Sequence, residues 1–91
     1  MKPKDILVHY MVTKIENKEV DIEKIIQFII TYIQNHPVYF KYDPSFYKKV
    51  LLFGVIGFKK EHIKLQKRLG SDITKFGGTL TVLNEKEIND G

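Results

Sequence analysis

The chain has 91 residues, with 15 Lys and Arg against 11 Asp and Glu, giving a net charge of +4 with neutral histidines. That length holds one small domain, 43% hydrophobic content is enough to fold it, and the absence of cysteine excludes disulfides, thiol nucleophiles and cysteine-ligated metals. No apolar run approaches the ~18 residues of a membrane span, and the start Met1-Lys2-Pro3-Lys4-Asp5 is unlike a secretory leader, so a soluble cytoplasmic protein with no membrane role is expected.

Residues 5–15 (DILVHYMVTKI) are dense in β-branched and aromatic types and read as a strand apolar on both faces, although Ile6, Leu7, Tyr10 and Met11 would also suit a helix. Asn17-Lys18 makes a turn, and Asp21 can accept a bond from a free backbone N–H at the start of the next segment. Ile22, Ile25, Ile26, Ile29 and Ile33 then recur at helical spacing with Glu23, Lys24, Gln27, Thr31 and Gln34 opposite, so a helix is expected over 22–35. Pro37 ends it, and 38–42 reads as a short strand.

Asp43-Pro44-Ser45 has two readings. It can open a helix over 44–53 that stops at Gly54 and Gly57, or it can be a turn before a buried strand over 49–56; the helix is expected. Over 58–69 the apolar stripe Phe58, His62, Leu65 and Leu69 marks a second long helix, closed by Gly70. Lys60, Lys64, Lys67 and Arg68 project from its other side as a basic ridge, with Lys59 at the margin. Residues 73–83 read as a strand or hairpin bent at Gly77-Gly78, followed by a polar tail.

Charge is uneven along this order. Residues 1–40 carry five positive and five negative side chains, 41–75 carry nine and three, and 76–91 carry one and three. A basic face of this kind suits phosphate or another acidic surface.

The run Val55-Ile56-Gly57-Phe58-Lys59-Lys60-Glu61-His62, continuing through Leu69-Gly70 to Gly78-Thr79-Leu80-Thr81-Val82, resembles the core of a KH domain. In that RNA-binding family a glycine loop joins two helices and clamps the nucleic-acid backbone. The resemblance covers residues 38–82 in two registers: Gly57 with Lys60 in place of the second loop glycine, or Gly54-Val55-Ile56-Gly57 as the loop. With eight residues after Leu83, further elements would come from the N-terminal segment, as in the bacterial-type KH order.

The fold expected is α+β, a small two-layer sandwich of about three strands with two to three helices, in a KH-like or related βαββαβ arrangement, over 1–84 with 85–91 as a tail. The function expected is binding of single-stranded RNA, or DNA after it, through Gly54, Gly57, Phe58, Lys59, Lys60, Lys64, Lys67 and Arg68. An RNA-recognition motif is disfavoured, because the central segments lack its stacking aromatics. His9, His36 and His62 lack metal-ligand spacing, Ser45 and Ser71 have no evident base, and neither an enzyme nor a cofactor is implied. The alternative is a protein-interaction or self-association domain using edge strand 38–42 or the aromatic segment 39–47, where Tyr39, Phe40, Tyr42, Phe46 and Tyr47 lie among Lys41, Lys48 and Lys49.

Overall fold

In the computed structural model, which describes residues 5–88, the elements are β1 (Asp5–Lys14), α1 (Ile22–Gln34), β2 (Tyr39–Tyr47), β3 (Val50–Phe58), α2 (Lys59–Lys75) and β4 (Gly78–Glu87). The strands form one antiparallel sheet in the order β2-β3-β1-β4, so each helix carries the chain over a neighbouring strand in a split βαβ unit. The fold is therefore α+β with βαββαβ order and two helices. It has four strands where about three were expected.

One face of the sheet is core. β1 alternates strictly, with Ile6, Val8, Tyr10 and Val12 turned toward the helices, and β3 adds Leu51, Phe53 and Val55 from the same side. α1 supplies Ile25, Ile29, Tyr32 and Ile33, and α2 supplies Leu65, Leu69 and Ile73. Burying an aliphatic side chain of this size contributes roughly 1.5–3 kcal/mol, which is why the two isoleucine and leucine stripes decide where the helices lie. Asp21 caps α1 as expected, accepting a bond from Lys24 N at 3.1 Å.

The largest departure lies at 44–53, which is strand and not helix. Lys48 and Lys49 form a two-residue turn that sets Tyr47 opposite Val50, with Lys48 in the left-handed region at φ 58. A lysine there replaces the Gly or Asn such turns usually display, so the hairpin leaves little trace in the sequence. Pro44 sits inside β2, which is tolerated because β2 is an edge strand whose register shifts between Phe40 and Tyr42 and again between Tyr42 and Ser45.

Two ends also differ. α2 does not stop at Gly70 but runs on to Lys75, burying Ile73; the left-handed turn comes at Gly77, φ 86, where an added Cβ would strike the Glu19 carbonyl. β4 continues past Asn84 to Glu87, paired to β1 through a register shift between His9 and Tyr10, and Ile88 N donates to Asp5 O at 3.0 Å. Its polar residues belong to an edge strand exposed to solvent, which reads in sequence like a loose tail. Residues 1–4 and 89–91 lie outside the described part.

Candidate interaction surface

The expected glycine loop is not a loop. Gly54 and Gly57 lie in mid-β3, and the element before α2 is a strand, so no two helices flank them. Spaced three apart, the glycines face opposite sides of the sheet, and each makes room for a neighbour. A Cβ on Gly57 would come within 2.6 Å of Val38 Cγ1, and one on Gly54 within 2.5 Å of Tyr42 Cε1. Packing accounts for both glycines.

Phe58 is the N-cap residue of α2 and gives no side-chain cap bond; Lys59 and Lys60 occupy the first turn. The ridge exists, with Lys60, Lys64, Lys67 and Arg68 all exposed, but much of its charge is compensated. Lys59 Nζ lies 3.2 Å from Glu85, Lys64 Nζ lies 3.8 Å from Glu61, and Arg68 Nε lies 3.5 Å from Asp72. Among the described residues Lys60 and Lys67 form no ion pair.

The second face of the sheet is the feature that the sequence reading did not place. Both helices pack on one side, and among the described residues no element covers the other side of the four strands. Following the register, its outward positions are Leu7, His9, Met11 and Thr13 on β1; Val50, Leu52, Gly54, Ile56 and Phe58 on β3; Tyr39, Tyr42, Ser45 and Tyr47 on β2; and Thr79, Thr81, Asn84 and Lys86 on β4. Asp5, opposite Phe58, and Lys86 are the charged residues in register on this side; Lys48 Nζ also lies over the Tyr47 ring, 5.7 Å from its centre, and Lys41 and Asp43 fall within the β2 register shifts. Tyr39 is 70% exposed and Tyr47 63%.

The centre of this face is organised. Because Gly54 has no side chain, the Tyr42 ring can lie against β3 there, and its hydroxyl reaches His9 Nδ1 on β1 at 2.8 Å, the rings 5.7 Å apart. Partial burial raises the Tyr42 pKa, so the hydroxyl stays neutral at physiological pH. The result is a largely apolar platform bridged by one hydrogen bond across three adjacent strands.

On the helix side, Tyr10 and His62 form a buried polar pair. His62 Nε2 donates to Ile6 O at 2.9 Å, which leaves Nδ1 to accept from the Tyr10 hydroxyl at 2.8 Å, and Gln66 Nε2 donates to that hydroxyl at 3.3 Å. Burial pushes the Tyr10 pKa up to about 12 and lowers that of His62, outweighing the Ile6 carbonyl and Glu85, which favour the charged imidazole. Every bond in this cluster is internal and serves the core.

A groove of about 380 Å³ runs between α1 and α2, with Phe28, Tyr32, His36, Lys64, Arg68 and Asp72 among its walls. Its Tyr32 and His36 rings stack at 3.8 Å, with His36 Nδ1 bonded to Tyr32 O at 2.8 Å. The Lys64 and Arg68 cations beside it are turned to Glu61 and Asp72. No described helix is long and apolar enough to cross a membrane, and no described group of three or more His, Asp or Glu is placed to hold a metal.

Comparison with protein-family models, curated proteins and solved structures gives no match for this chain.

Proposed function

We propose that this domain is an interaction module whose contact surface is the open face of its sheet. One observation carries the reading: the central strands have the composition of strands covered on both faces, while the described residues cover only one. β3 reads VLLFGVIGF, and β1 places Leu7 and Met11 outward as well as Ile6, Val8, Tyr10 and Val12 inward. An antiparallel sheet that meets water on one side alternates apolar and polar residues; near-continuous apolar strands belong to sheets with both faces buried. Large contiguous apolar patches of this kind mark interaction sites.

The test is capture by the immobilised full chain, compared with a Leu52→Glu, Ile56→Glu variant that keeps the helix-side core intact. Bound proteins that disappear with the variant support the module; an identical captured set would overturn it.

A second reading, single-stranded RNA or DNA binding, draws on Lys60 and Lys67, which form no ion pair among the described residues, and on the Tyr39, Tyr42 and Tyr47 rings, with Lys48 over Tyr47 and Lys41 and Lys49 close in sequence. It ranks below the first because, His9 and Phe58 apart, the larger outward side chains of β1 and β3 are the aliphatic Leu7, Met11, Val50, Leu52 and Ile56, where a base-stacking sheet needs rings. Binding to labelled single strands at two salt concentrations decides it, with Lys60→Ala and Lys67→Ala expected to flatten the salt slope if the reading holds.

A further inference from the structure

Resting on the interaction reading above, we infer that the partner covering the open face is a second copy of this chain, the two sheets stacked face to face with their helices outward. Charge selects this occupant. A chain of net charge +4 repels its own copy, and a surface of low charge minimises that repulsion on self-association. The open face comes near that condition: Asp5 and Lys86 are its charged positions in register, and Lys48 lies over Tyr47 at the hairpin end. The α2 cations lie on the other layer. Stacked sheets sit about 10 Å apart and each helix layer adds a similar thickness, so the two basic ridges would stand roughly 30 Å apart, several Debye lengths at physiological salt.

Size agrees. Four strands spaced about 4.8 Å, with runs of about nine residues rising about 3.3 Å each, give a face of roughly 19 by 30 Å, or about 570 Å² in projection. The relief of protruding Tyr39, Tyr47 and Phe58 raises the area removed from water above that projection, toward the ~800 Å² per partner of a standard interface. The cations that meet this face, Lys48 over Tyr47 and Lys86 on β4, stand at its margins and not along its apolar centre. A two-fold axis in the contact plane, centred on the sheet, would bring the Tyr42–His9 bridge of one copy against the same bridge of its partner.

The experiment is sedimentation or light scattering of the full chain from roughly 1 to 300 µM, a range that brackets the micromolar affinity of a modest interface. The expected result is a mass rising from one chain to two. Leu52→Glu, and separately Ile56→Glu, should hold the mass at one chain with an unchanged far-ultraviolet spectrum, while Lys60→Glu with Lys67→Glu should leave the doubling in place. A wild-type chain that stays monomeric at the upper concentration, or a dimer indifferent to both face substitutions, would overturn the inference. Failure here separates from failure of the module. A monomeric chain whose captured proteins vanish with Leu52→Glu, Ile56→Glu has a different partner on the same face, whereas unchanged capture rejects the face itself.

Discussion

His62 should make the domain acid-sensitive in a defined window. Its ring is neutral in the fold, because Nε2 spends its proton on Ile6 O and Nδ1 accepts the Tyr10 hydroxyl. Protonating Nδ1 would set two hydrogens between the ring and the Tyr10 oxygen, and the Tyr10 hydroxyl has Gln66 as its other bonding neighbour, itself a donor. Burial adds the cost of a charge in a site where His62 is 3% exposed. The folded-state pKa is therefore below the ordinary value of 6.5. The unfolded chain takes up a proton first as pH falls, so this stability is fully present above about pH 6.5 and is lost as pH drops toward the folded pKa. The slope cannot exceed about 1.4 kcal/mol per pH unit, so the loss between about pH 7.5 and 5.5 is on the order of 1 kcal/mol. For a domain of this size that lowers Tm by roughly 4–8 °C. Thermal melts of the wild type and His62→Gln at both values measure it, since glutamine can still donate to Ile6 O but does not titrate. If the two chains lose equal stability, or if the imidazole resonances of wild-type His62 titrate at or above the ordinary midpoint, the reasoning fails.

Three further expectations follow from the backbone and from Tyr10. Gly70 sits inside α2 with nothing within 4 Å of an added Cβ, so Gly70→Ala should stabilise by about 0.5–1 kcal/mol in urea unfolding. Gly77→Ala should do the reverse, costing about 2 kcal/mol or more, because it meets both a positive φ of 86° and the Glu19 carbonyl; an unchanged urea midpoint would contradict the turn geometry. Raised to about 12, the Tyr10 pKa should give stability that is intact below about pH 10 and lost between about pH 10 and 12, up to ~2–3 kcal/mol, with a smaller alkaline loss in Tyr10→Phe.

Much of the helix side was legible because each element announces itself locally. The Ile22 to Ile33 spacing and the Asp21 cap locate α1, and Leu65 and Leu69 locate α2. What misled is chemistry with two uses. Asp43-Pro44 is a sound helix start, but it is equally acceptable in an interrupted edge strand, and the lysine turn at 48–49 carries no glycine to tip the balance. Gly54 and Gly57 look like a loop because the residues they admit, Tyr42 and Val38, are far from obvious partners in sequence. Likewise the buried bond between Tyr10 and His62 joins positions 52 apart. The open face left a visible sign, a β1 segment apolar on both sides, but which side remains bare depends on where α1 and α2 pack.

The interruptions along the two outer strands govern what kind of assembly can grow. A sheet recruits further strands sideways only along an unbroken row of free N–H and C=O groups. On β2 that row is broken by Pro44, which has no N–H, and by two register shifts. On β4 the extra residue Leu83 kinks the ladder before the strand ends in Glu85, Lys86 and Glu87. Neither margin offers a template for filament propagation. The proposed stacking, by contrast, would use up the bare sheet face of each copy, and so would terminate at a closed pair instead of running on into a fibre.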